Sequence, residues 1–180
     1  MAEEFKRLER RLVYKGSIID YYRDTIAVPN GNVVEWDFIG HNGAAAVVPV
    51  TDDGKLLLVR QYRNALDRYT LEIPAGGLNK GEPTKEAAAR ELEEETGYSS
   101  TDLELLNSIY TTVAFCNEKI DIYLARNLSR GSQHLDEDEY IDVEAWSLDD
   151  LLQMIFEGKI QDSKTICGIL TYAVKYGQED

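Results

Sequence analysis

The stretch from Gly76 to Tyr98, GGLNKGEPTKEAAARELEEETGY, carries more structural information than any other part of this chain. A proline followed by a run of good helix formers predicts a helix that starts after Pro83, with Thr84 as its N-cap and Gly97 as its stop. With Arg90 placed at zero and about 100° allowed per residue, Glu94 falls near about 40°, Glu91 near about 100° and Glu95 near about 140°. Glu93 points away. Three carboxylates therefore share one face, bordered by Arg90. They crowd the last two turns, where the helix dipole disfavours negative charge and where neighbours at i, i+3 and i, i+4 repel. A helix shaped for stability alone would carry lysines there. A hard divalent cation reverses the sign of every one of these terms, since carboxylate oxygens are its preferred ligands. Just upstream, Ala75-Gly76-Gly77 allows a tight turn and close approach of backbone to a ligand, so a carbonyl there is a candidate for the same metal shell.

On either side, the chain reads as a mixed α/β protein. Ser17 to Val28 and Val33 to Ile39 flank the turn Pro29-Asn30-Gly31 and predict an antiparallel hairpin. Ala44 to Val50 and Lys55 to Tyr62, joined through Asp52-Asp53-Gly54, predict a second. Leu103 to Thr112, Lys119 to Ala125 and Ile141 to Trp146 are strand-like. Further helices are expected from Ser147 and from about Asp162 to Tyr172. With 180 residues the chain suits one compact domain with a substantial core. The net charge of −14 argues against nucleic acid as a partner and, for an anionic substrate, calls for a cation between the two. No apolar run reaches membrane-spanning length, the start MAEEFKRLERR lacks a signal peptide's apolar stretch, and Cys116 and Cys167 form no metal-ligand spacing. A cytoplasmic setting is expected.

Residues 76–98 fit the Nudix box, G-x5-E-x7-R-E-U-x-E-E-x-G-U, where U is a bulky aliphatic. Gly76, Glu82, Arg90, Glu91, Leu92, Glu94, Glu95 and Gly97 match, and only Tyr98 departs, at the last aliphatic position. The chain therefore resembles the Nudix hydrolases. That resemblance implies an α/β/α sandwich with a mixed β-sheet, and Mg²⁺ (or Mn²⁺), two or three ions per site. It also implies a role for each matched residue. Glu91 and Glu95 would be the main metal ligands, Glu94 would share or relay coordination, and the Ala75 carbonyl would complete the set. Arg90 would orient a glutamate and Glu82 would brace the loop, so that these two, like Gly76 and Gly97, are structural.

Beyond the box, LVRQYR (Leu58 to Arg63), LEIPAG (Leu71 to Gly76), LDEDEYIDV (Leu135 to Val143) and Glu157-Gly158-Lys159-Ile160 are similar to the ADP-ribose pyrophosphatase branch of that family. The branch implies an N-terminal antiparallel β subdomain, here residues 1–42, that pairs two chains into a homodimer and helps bind the base, ahead of a hydrolase domain at 43–180. It places the general base in the acidic loop Asp136 to Glu139, where Glu137 is preferred and Glu139 is the other matching position. Arg63 is the candidate for gripping a diphosphate oxygen, Glu72 for reaching the metal cluster or tying down the glycine loop, and Trp36 with the Tyr21/Tyr22 pair for stacking on the base. One departure concerns the substrate. Val113-Ala114 stand where that branch usually carries Pro-Gly, which keeps GDP-mannose, ADP-glucose or another nucleotide sugar open beside ADP-ribose. A non-catalytic nucleotide-sugar sensor is the reading from a different class.

Overall fold

The computed structural model of the protein describes residues 4–135 and 139–177. The chain divides into two compact units, Met1–Gly43 with Tyr110–Glu118, and Ala44–Ile109 with Lys119–Asp180.

The first unit is built on three antiparallel strands in the order β1 (Lys6–Lys15), β2 (Asp20–Ala27), β3 (Val33–Gly40). The β2–β3 hairpin turns at Asn30-Gly31, where Gly31 takes φ +83°, a conformation that suits glycine. β1 was not foreseen: its KRLERRLVYK is charged, lacks clean alternation, and every one of its residues is exposed. What holds it is cross-strand pairing, including a bidentate Arg10–Asp24 ion pair at 2.7 and 2.6 Å and Arg10 stacked over the Phe38 ring. Tyr110–Glu118 joins this unit through an Ile39–Cys116 bridge and the hydrogen bond from Ile39 N–H to the Phe115 carbonyl.

At the centre of the second unit, β4 (Ala44–Pro49) runs parallel to β10 (Lys119–Arg126), flanked by β7 (Ala75–Gly77) and β9 (Asp102–Tyr110). A buried parallel pair has to be apolar on both faces, and AAAVV is. Alternate residues feed different cores. Ala44, Ala46 and Val48 join Ile122 and Leu124 beneath Leu151 and Ile169 of the helices α2 (Leu148–Phe156) and α3 (Ser163–Tyr176). Ala45 and Val47 meet Ala87, Ala88 and Leu92 of α1 (Thr84–Thr96) on the other face. Helices on both faces of a mixed sheet are the sandwich expected from the resemblance. Fully buried Leu92 alone contributes about 1.5–3 kcal/mol. β5 (Leu56–Arg63) pairs with β6 (Arg68–Glu72) and β12 (Ile141–Trp146) in a separate sheet, and β8 (Tyr98–Ser99) pairs with β11 (Ser129–Arg130).

Two local expectations are corrected. Ala44 to Val50 and Lys55 to Tyr62 do not form a hairpin ladder: a single Val50–Leu56 bridge links them before they part into different sheets. The reason is competition, because β4 satisfies its backbone on β7 and β10 while β5 does so on β6 and β12. Thr84 is the first helical residue and not the cap. Pro83 holds the cap position without a side-chain bond, and the Thr84 hydroxyl turns to Asp121 and Tyr123 at 2.9 and 2.8 Å. The other helix starts behave as read. Ser147 accepts from the Asp150 N–H, and Asp162 from the Thr165 N–H.

Candidate active site

Helix α1 and the strand β7 before it bring most of the candidate ligands together. Glu91 and Glu95 are buried, at 8% and 4% exposure, Glu94 is half-buried and Glu93 faces solvent, as the wheel predicts. Gly76 passes so close to α1 that a Cβ at this position would land on the Glu91 carboxylate. Glu95 Oε2 accepts from the Ala75 N–H at 3.1 Å, so the glycine loop and the ligand face of the helix are locked to each other. Gly97 ends α1 at φ +71°, its N–H on the Glu93 carbonyl.

Arg90 organises the exposed side of this face. Its Nε and Nη2 grip Glu82 at 3.0 and 3.1 Å, and Nη2 also reaches the Gly77 carbonyl. The same guanidinium donates through Nη1 to Glu91 and Glu94 at 2.6 and 2.8 Å. Glu82 in turn accepts from the Asn79 N–H, and Arg90 holds its carboxyl down at about 2. Both residues thus stitch the loop to the helix.

The electrostatics single out two carboxyls. Burial pushes Glu95 up to about 8, with Glu91 and Glu139 adding to the rise while the Ala75 N–H and Arg63 oppose it. Burial also raises Glu91, against the pull of Arg90, and Glu94 and Glu139 push the same way. Glu139 therefore lies within electrostatic reach of both, whereas Glu137 falls outside the described residues. Among the described residues no three acidic, histidine or cysteine groups already converge as a ligand set. Arg90 Nη1 takes up Glu91 and Glu94, while Glu95 is turned to the loop. The donor chemistry nevertheless fits a divalent cation: Glu91 and Glu95 are buried oxygens held above their ordinary range, and a dication is the partner that restores their charge.

Arg63 and Glu72 lie beside this face as a pair. Arg63 Nε and Nη2 meet Glu72 Oε1 and Oε2 at 2.8 and 2.7 Å. Glu72, 2% exposed, also accepts from the Thr70 hydroxyl at 2.6 Å and from Lys164 Nζ. Burial works against its charge, but Arg63 and Lys164 outweigh it and hold the carboxyl at about 2. Its lone pairs are thus spent on protein donors. Lys164 and Thr165 escaped sequence reasoning. A lysine in the first turn of an amphipathic helix reads as solvent-facing, and only its place in the sequence Asp-Ser-Lys-Thr, next to the capping aspartate, hinted otherwise.

The segment entering the acidic loop is tied to the end of α1. Gly131 N–H donates to the Gly97 carbonyl at 2.6 Å, Gln133 Nε2 to the Glu95 carbonyl at 2.6 Å and His134 N–H to the Glu94 carbonyl at 3.0 Å. Carbonyls left over by the helix end are satisfied in this way.

In the first unit, Trp36 is half exposed and lines a cleft of about 570 Å³ with Tyr21, Asp37, Ile39, Ala114 and Phe115. Tyr21 donates to Asp37 at 2.6 Å. Tyr22 does not join it, packing instead with Phe38 beneath Arg10.

A family model for the NUDIX domain matches residues 40–167. The chain is 38% identical to an ADP-ribose pyrophosphatase of Bacillus subtilis (strain 168), over 97% of this chain and 93% of that protein. A methanol dehydrogenase activator of Bacillus methanolicus is 39% identical over 92% and 91% of the two chains. Among solved structures, an ADP compounds hydrolase superposes with a TM-score of 0.88 at 24% identity, covering 99% of this chain and 98% of the other. The chain belongs to the Nudix family. Members of that family generally require a divalent metal ion, and the buried glutamates of α1 suit one.

Proposed function

We propose that this Nudix enzyme hydrolyses the diphosphate bond of a nucleoside-diphosphate sugar, with ADP-ribose as substrate and AMP and ribose 5-phosphate as products. The observation that carries the reaction is the α1 face, where Glu91 and Glu95 are buried side by side against the Ala75–Gly77 loop with Glu139 in reach. Support for the substrate comes from the similarity to the ADP-ribose pyrophosphatase of Bacillus subtilis.

In this reading Glu91, Glu94, Glu95 and the Ala75 carbonyl hold the metal. Two or three Mg²⁺ ions held there would supply charge neutralisation for the diphosphate and would acidify water. Arg63 grips a diphosphate oxygen. Glu137, with Glu139 as the alternative, accepts the proton of the attacking water. Placement and charge carry the rate, with no covalent intermediate. Trp36 and Tyr21, on their cleft, are where the base would stack. We also propose that the first unit pairs two chains in the cytoplasm. β1 exposes Leu8, Leu12, Val13 and Tyr14 along an edge strand, and such an edge favours pairing with another chain. Light scattering on the eluted protein should give twice the chain mass.

The test is a screen of ADP-ribose, GDP-mannose, ADP-glucose, NADH and 8-oxo-dGTP, with phosphatase-coupled phosphate release, in Mg²⁺ and in EDTA. Turnover highest on ADP-ribose and abolished by EDTA is the expected result. Preference for another nucleotide sugar keeps the chemistry and points to Val113-Ala114, which stand where Pro-Gly is usual. Binding without turnover on any of them would replace the enzyme with a sensor.

A further inference from the structure

The most deeply buried cation among the described residues that the proposed chemistry leaves unused is Lys164. Its side chain is 9% exposed and sits between two carboxylates, Glu72 and Asp162, the latter at 3.0 Å. Burying an ammonium in this way is costly unless both partners are fixed, so the arrangement has to be held from all sides. It is. Asp162 caps α3, accepting from the Thr165 N–H at 3.0 Å and from the Thr165 hydroxyl at 2.6 Å. The Thr165 hydroxyl in turn accepts from the Ile73 N–H at 3.0 Å, one residue beyond Glu72.

We propose that Lys164 is a positioning residue that fixes the orientation of Arg63 toward the substrate's diphosphate, acting through Glu72. The inference rests on the reading of Arg63 as a diphosphate contact. Lys164 and Arg63 Nη2 approach the same oxygen of Glu72, while Thr70 and Arg63 Nε approach the other. Four donors on four lone pairs leave that carboxylate one orientation, and a bidentate fork copies this orientation onto the guanidinium plane. Among the described residues Arg63 Nη1 has no hydrogen-bond partner, and the guanidinium is near enough to Glu95 to lower its pKa. The fork thus lies within electrostatic reach of the α1 carboxylate Glu95. Without Lys164, Oε2 keeps Arg63 Nη2 as its single donor, and the Glu72–Arg63 fork loses its tie to α3 and can shift as a unit. The inference also explains why the clamp is rooted in α3. That helix packs against β4 and β10, the rigid centre of the second unit, and transmits their position to Arg63.

The experiment is a double-mutant cycle with full-length enzyme, Mg²⁺ and ADP-ribose, recording kcat and KM for wild type, Arg63→Ala, Lys164→Met and the double variant. Arg63→Ala should raise KM about tenfold and Lys164→Met about three- to tenfold, with kcat changing less. The double variant should be no worse in KM than Arg63→Ala alone, because Lys164 acts only through that arginine. A residue with a merely structural role would give multiplied effects, and that result overturns the proposal. So does a wild-type KM for Lys164→Met beside a raised KM for Arg63→Ala. A wild-type KM for Arg63→Ala removes Arg63 from the substrate and takes the proposal with it, but leaves the Glu91–Glu95 chemistry intact. Should Lys164→Met fail to fold, Lys164→Gln, uncharged and one atom shorter toward Glu72, enters the same cycle: a raised KM that is not multiplied in the Arg63→Ala background is expected, and a wild-type KM or multiplied effects overturn the proposal.

Discussion

Glu95 makes the metal-free protein lose stability as the pH rises. In the unfolded chain this carboxyl releases its proton near 4.5, whereas in the folded protein burial beside Glu91 holds it to about 8. Between those values the folded state binds more protons than the unfolded one, so each step up in pH favours unfolding. The contribution is complete below about pH 4.5 and gone above about pH 8. At about 1.36 kcal/mol per unit the ceiling is about 5 kcal/mol, and even half of that corresponds to roughly 5–10 °C in Tm for a chain of this length. Thermal unfolding in EDTA at about pH 5.5 and about pH 8 therefore separates wild type from Glu95→Gln. Gln keeps an oxygen for the Ala75 N–H but cannot ionise, so the variant should exceed wild type by at most about 1.4 kcal/mol at the lower pH and by clearly more at the higher. Added Mg²⁺ should then rescue wild type at high pH and do much less for the variant. An equal fall in Tm for both proteins would show that Glu95 does not carry this pH dependence, and would refute the argument that its burial awaits a cation.

Three further outcomes are expected. Gly76→Ala should fold with a Tm within a few degrees of wild type, since the flexible Glu91 side chain can yield to the new Cβ, but turnover should drop at least about tenfold because the proposed metal ligand Glu91 is displaced; unchanged kcat/KM would contradict this. Thr165→Val should lower stability by about 1–3 kcal/mol, read in urea melts, because it strands the buried Ile73 N–H and removes one of the donors to Asp162. Of the loop glutamates, Glu137→Gln should keep Mg²⁺ and substrate binding while losing kcat, with the greater loss in Glu139→Gln assigning the base to Glu139 instead.

The local chemistry of this protein was legible in its sequence because periodicity and capping are local rules. The spacing of Glu91, Glu94 and Glu95, the exposure of Glu93, the Gly97 stop and the helix starts at Ser147 and near Asp162 follow from an angle per residue and the bonds an N-terminal turn needs. What needed the tertiary structure was every choice among partners. β4 and β5 look like a hairpin, yet parallel pairing of β4 with a strand some seventy residues later wins, since it buries both faces of AAAVV. Thr84 looks like a cap, yet its hydroxyl is claimed by Asp121 and Tyr123 of β10. β1 carries too little apolar periodicity to register, because its stabilisation comes from β2. Lys164 reads as a surface lysine until Glu72, far away in sequence, is found on its ammonium. The sequence by itself determined the acidic helix and its family, while only the tertiary structure decided which charges are buried, since burial depends on what packs on a residue and not on its neighbours in the chain.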